Sequence, residues 1–311
     1  MKSHVLSILF FSLFSFLLNA QEWRQFKASD AVNDFELKDN NLWVISASGL
    51  TKIDTETEQQ TNWNTFNSDL PEYRYNRMAV DNSGTVWLGA REIKSVTAFD
   101  GTNWATFTEI NGNPINAILD IQATPDGKVW LYGGIGDEGV YYFENDEFVA
   151  LPPPADSLVY YWGFGTDANS HVWAKFIDTS YTNQIIGQYD GNEWILHDLT
   201  ALGFDFGHGS SKFDFVYDSQ GNIYALSGKW GDNFLKYDGT NWTYSAVPAD
   251  MNNWTQIKRP ISIDFEDNIW ISLGRENSFL KYDGMNWDTL ILDSYGLTDG
   301  GPDGVIFDHS G

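Results

Sequence analysis

Apolar and polar residues alternate along this chain in short runs separated by clusters of Asp, Asn and Gly. No sustained apolar period of 3.6 residues occurs, so the pattern predicts strands and tight turns rather than helices. Aligned on tryptophan, the runs repeat. NLW ending at Trp43, TVW at Trp87, KVW at Trp130, HVW at Trp173, NIY at Tyr224 and NIW at Trp270 are spaced by 44, 43, 43, 51 and 46 residues. A second aromatic column follows at Trp63, Trp104, Phe148, Trp194, Trp242 and Trp287.

Each unit reads as four strands. In the second, Arg77 to Asp81, Thr85 to Ala90, Val96 to Phe99 and Trp104 to Thr108 are strand-like, with a turn at Asn82 to Gly84. A repeat in the forties with four strands predicts a propeller blade, because a lone four-stranded sheet cannot cover both of its faces. The fold class expected is therefore all-β, a β-propeller of four-stranded blades.

The ends extend this reading. EWRQF at Glu22 to Phe26 matches the fourth-strand pattern of NWNTF (Asn62 to Phe66) and NWATF (Asn103 to Phe107), and GVIFDHSG at Gly304 to Gly311 matches an opening strand and turn. We expect residues 21–30 to supply the outer strand of a closing blade, 31–298 six blades, and 299–311 the start of a seventh, with the natural polypeptide continuing. Before these, Lys2, a largely apolar run from Val5 to Leu18 and then Asn19 and Ala20 read as a secretory signal peptide over 1–20. The run is shorter than the roughly 20 apolar residues of a membrane span.

The composition narrows the partners. There are 18 Lys and Arg against 43 Asp and Glu, a net charge of −25. Loss of Lys2 with the signal peptide would make it −26. Such a field repels phosphate backbones and anionic lipid, so we expect neither nucleic-acid nor peripheral membrane binding. No cysteine is present, so the core must hold the fold without disulfides.

Units of the form D-x-x-G-x-[VI]-W followed by [YF]-D-G-x-x-W resemble the two-component regulator propeller repeats of Gram-negative bacteria. Asp81 to Gly89 (DNSGTVWLG) and Asp218 to Leu226 (DSQGNIYAL) carry the resemblance, with FDGTNW at Phe99 to Trp104 and KYDGTNW at Lys236 to Trp242. The fourth unit departs from it at Ala168 to Ser170 and the third at Phe143 to Asp146. The resemblance implies an extracytoplasmic location, either secreted, periplasmic or on the cell surface. It also implies a role as the ligand-sensing half of a hybrid histidine kinase responding to glycans, or as a surface protein with a C-terminal sorting domain. A downstream kinase or sorting domain would be the partner in the same polypeptide.

Several motifs imitate sites. G-x-G-x-x-G at Gly134, Gly136 and Gly139 follows a strand but runs into another, Val140 to Phe143, so no helix N-terminus is available for a pyrophosphate. The turns DNSG, PDGK and DSQG suit hairpins better than calcium, which wants six or more oxygens. His171, His197, His208 and His309 lack metal-ligand spacing, so neither a metal, a cofactor nor a catalytic residue is assigned.

The loops carry the functional expectation. In a four-stranded blade the first-to-second and third-to-fourth connections share one face of the disc, and these are the short Asp-Gly turns. The opposite face receives the long connections. These hold Arg74, Arg77, Arg91, Arg259 and Arg275, with Tyr73, Tyr75, Tyr160, Tyr161, Trp162, Trp230 and Trp254. Aromatic rings stack on sugars and guanidinium groups make bidentate contacts. The candidate ligand-binding set is Arg77, Arg91, Tyr161, Trp162, Trp230, Trp254, Arg259 and Arg275. The function expected is non-catalytic recognition of an oligosaccharide or a partner protein. Two alternatives stand beside it: a propeller glycoside hydrolase or polysaccharide lyase, and an adhesion or scaffold module.

Overall fold

The structure is a computed structural model, and it describes residues 32–135, 137–179, 184–199, 214–227, 233–246, 261–273, 278–291 and 305–307. Six four-stranded antiparallel sheets follow one another along the chain, each with its strands in sequence order. They run from β1 (Val32–Lys38) to β4 (Gln60–Trp63), from β5 (Arg77–Val80) to β8 (Trp104–Phe107), and from β11 (Ala117–Ala123) to β14 (Glu147–Leu151). The last three run from β15 (Leu158–Thr166) to β18 (Trp194–Asp198), from β19 (Asp214–Tyr217) to β22 (Trp242–Ala246), and from β23 (Ser262–Ile263) to β26 (Trp287–Ile291). A small hairpin, β9 (Glu109–Ile110) and β10 (Asn113–Pro114), is inserted between the second and third sheets. The first strands of successive sheets neighbour one another, so they form the inner wall of a β-propeller.

The core lies between blades. Trp43, Ile45 and Leu50 of the first blade cluster with Met78, Val86, Leu88 and Phe99 of the second, and equivalent clusters fill the next interfaces. The second aromatic column seals them: Trp63 meets Phe99, Trp287 meets Phe234, and Trp242 meets Trp173. Beyond the sixth blade, Val305 packs with Trp270 and Phe279, and Ser262 Oγ donates to its carbonyl. Residues 21–30 are outside the described residues, as is most of 299–311.

The D-x-x-G-x-[VI]-W motif has a structural cause. The carboxylate of Asp81 accepts from the amides of Ser83 and Thr85 through one oxygen and from Trp87 Nε1 through the other. Asp167 and Asp264 do the same for Trp173 and Trp270, and Asp218 takes the hydroxyl of Tyr224. Thr124 replaces Asp in the third blade, and there Trp130 Nε1 is buried with no hydrogen-bond partner among the described residues. In the Y-D-G turns, Asp100, Asp190, Asp238 and Asp283 each accept backbone amides, which hold their carboxyls below the ordinary carboxylate value. Both motifs belong to the fold. G-x-G-x-x-G is a hairpin too, with Gly133 paired to Gly139 and Gly134 to Glu138; Gly136 is outside the described residues.

Candidate functional site

The inner strands are open edges facing the axis, and side chains stitch one to the next. Within β5, the amides of Met78 and Val80 point away from the second strand of their blade. They are taken up by Asp34 Oδ2 at 3.0 Å and Glu36 Oε2 at 2.8 Å from β1. Asn33 Nδ2 donates to the Tyr75 carbonyl and Lys38 Nζ to Asn82 Oδ1, so four residues of β1 contact the second blade. Burial, reinforced by Asp34 and Asp81, pushes the Glu36 carboxyl up to about 8.

Backbone register places three charged side chains at one level. Asp34 pairs with Ile45, Arg77 with Gly89 and Asp120 with Tyr132, each opposite the residue two beyond the repeating tryptophan. Arg77 reaches the third blade as Asp34 reaches the second, but as a cation it finds carbonyls: Nε donates to Leu119 O at 2.6 Å and Nη1 to Asn76 O. Asp120, at a bulge in β11, is buried and accepts the Ile121 amide.

Around Arg77 lies a cleft of about 140 Å³, lined by Asn76, Arg91, Glu92, Ile118, Leu119, Asp120, Tyr132, Gly163 and Phe164. Arg91 and Glu92 come from the connection after the second strand of the second blade, so the cleft opens on the long-loop face. Ile118, one of the lining residues, packs so closely on the second blade that a Cβ on Gly89 would stand 2.6 Å from its Cγ2. The polar lining is balanced in charge, two guanidinium groups against two carboxylates. Asn76 adds an Oδ1 that is buried with no hydrogen-bond partner among the described residues. Tyr132 and Phe164, stacked at 6.0 Å, back the apolar side.

Of the eight residues expected at the site, Arg77 and Arg91 meet in this cleft. Tyr161 and Trp162 lie in β15 at its bulge, between Tyr160 and Phe164, and their side chains are outside the described set. Trp230, Trp254, Arg259 and Arg275 are outside the described residues. Two further aromatics expected in loops turn inward, and one of them, Tyr160, belongs to β15 rather than to a loop. Tyr75 has its hydroxyl 2.7 Å from Thr97 Oγ1, and burial pushes its pKa up to about 12; Tyr160 is buried with its hydroxyl on Leu151 O. Sequence reading missed Asn76, Glu92 and Asp120. The signal for Asp120 was present, since AILDIQA places one carboxylate in an otherwise apolar strand.

No family model matches the chain, and no curated protein matches it. Among solved structures, it is similar to the extracellular domain of BT4673, a candidate one-component or hybrid two-component system of B. thetaiotaomicron. The TM-scores are 0.54 and 0.53 at 16% identity, over 83% and 84% of this chain. The chain spans 40% of the length of that domain. It is also similar to virginiamycin B lyase from Staphylococcus aureus, with TM-score 0.63 at 12% identity over 82% of both chains. A third likeness is to YCF48 bound to D1 peptide, with TM-score 0.60 at 12% identity over 89% of this chain and 87% of that one. At these identities the likeness is one of fold, and the fold is the β-propeller.

Proposed function

We propose that this protein is a non-catalytic recognition propeller that binds a glycan in the cleft on its long-loop face, as the sensing part of an extracytoplasmic receptor of the two-component regulator propeller type. The observation that carries the reading is the lining of the cleft. Arg77, Arg91, Glu92 and Asp120 bring two guanidinium groups and two carboxylates to one lining, which mixes donors with acceptors as a polyhydroxylated ligand requires and gives no net attraction for an ion. Ile118 supplies an apolar wall for the faces of a ring, and about 140 Å³ is the scale of one sugar residue rather than of a drug-sized ligand. The signal-peptide pattern and the likeness to a bacterial extracellular domain support the location.

The test is a thermal-shift and calorimetric screen of neutral and acidic saccharides against the parent and Arg91→Ala. Arg91 is exposed, so its truncation falls among surface substitutions, which cost a fold little. The expected result is a stabilising saccharide whose affinity falls at least ten-fold in Arg91→Ala. A saccharide that binds both proteins equally would remove the cleft from the reading, and a screen with no binder would remove the glycan.

A further inference from the structure

The connection between the first and second blades leads into the cleft, and it is held at two points. Leu70 is buried in the inter-blade core, and Tyr75 is buried five residues later with its hydroxyl on Thr97 and its carbonyl on Asn33. The arch between them is thereby fixed at both ends. It displays Tyr73, 52% exposed, with the Arg74 guanidinium 5.7 Å from the ring centre. Tyr73 is three residues before Asn76, which lines the cleft, so their Cα atoms lie within about 11 Å of each other.

A large aromatic ring left half in water, three residues along the chain from a polar cleft and on a backbone held at both ends, is suited to stacking on the face that Arg74 leaves open. Little ordering entropy remains to be lost when a second ring settles on it. We propose that Tyr73 forms a second subsite next to the cleft, and that the ligand is an oligosaccharide of at least two rings, one in the cleft and the next on Tyr73. This rests on the glycan reading of the cleft. It adds a residue outside the cleft and a minimum ligand length.

The test measures affinity along homologous series: glucose, cellobiose and cellotriose; xylose, xylobiose and xylotriose; galacturonate and its dimer and trimer. In the series that binds, affinity should rise about ten-fold from one ring to two in the parent. Tyr73→Ala should abolish that rise while leaving the monosaccharide affinity unchanged, and Tyr73→Trp should retain it. Arg91→Ala should weaken every member alike. If the monosaccharide binds as tightly as its oligomers, or if Tyr73→Ala keeps the full rise, the second subsite is overturned while the cleft stands. If no member of any series binds, the glycan reading falls and takes this subsite with it. A protein partner whose capture depends on Tyr73 in the absence of any saccharide binding would give that second result.

Discussion

Glu36 gives a direct test of the inner-strand stitching. Its carboxyl accepts the Val80 amide at 2.8 Å, and burial holds its pKa at about 8 against an ordinary 4.5. The folded state therefore keeps a proton that the unfolded chain releases, so stability is greatest below about pH 4.5 and is lost as pH rises toward 8. The full interval corresponds to an upper bound of roughly 5 kcal/mol. Water reaching the half-buried side chain screens the charge and reduces this to about 2 kcal/mol. Glu36→Gln keeps an acceptor for Val80 and imitates the neutral acid, so it should match the parent at pH 5 and exceed it at pH 9. For a domain of this size 1 kcal/mol moves the melting temperature by about 2 to 4 °C, so the gain at pH 9 should be about 4 to 8 °C. Thermal denaturation of both proteins at pH 5, 7 and 9 reads this, since the other carboxylates are common to both. Parallel melting curves at all three values would show that Glu36 ionises in the fold without cost, and the stitch would lose its energetic meaning.

Other expectations follow from the same geometry. Thr124→Asp supplies the missing acceptor for Trp130 Nε1 but gives up the bond from Thr124 Oγ1 to Asp126, so it is paired with Asp126→Ser, which reproduces the Asp81–Ser83 arrangement of the second blade; the double variant should gain about 1 kcal/mol in urea melts. His197 stacks on Trp173 at 5.6 Å, and burial holds its imidazole below the ordinary value of 6.5. The unfolded chain takes up that proton first as pH falls, so the parent's melting temperature should drop more steeply than that of His197→Phe between pH 7 and 5. Trp242→Ala removes an indole packed on Trp173 and Tyr237 and should cost about 3 to 5 kcal/mol, while any saccharide affinity stays as it was. A folded Trp242→Ala protein that had lost binding would overturn the division between the two faces.

Much of this architecture is legible in the sequence because it is local. Asp followed by Gly fixes a turn through bonds spanning two to four residues, alternation fixes the strand faces, and the period of the two aromatic columns fixes the blade. The second blade shows how closely: strands expected at Val96 to Phe99 and from Trp104 onward lie at Val96–Phe99 and Trp104–Phe107. What the sequence leaves open is set by contacts between residues more than 40 positions apart. Arg77 reads as a ligand anchor, yet its Nε is held by the carbonyl of Leu119 in the next blade. The cleft draws on inner strands of three blades, so its charge balance appears only once those strands stand side by side.

NWNTF and NWATF make the same point with nearly identical letters. Phe107 packs among Trp87, Phe143 and Phe148, whereas Phe66, at the matching place, is 99% exposed. Asn64 Oδ1, where the second blade has Ala105, accepts the amides of Phe66 and Asn67, and the Asn64 amide in turn donates to Asn67 Oδ1. That ring of side-chain bonds ends β4 at Trp63 and turns the next residues outward. The sequence by itself determined the repeat, the turns and the aromatic seams, since each arises from neighbours along the chain. Only the tertiary structure decided which charges meet at the axis, which carboxyl keeps its proton and which aromatic ring is left to solvent, because burial depends on what the next blade brings.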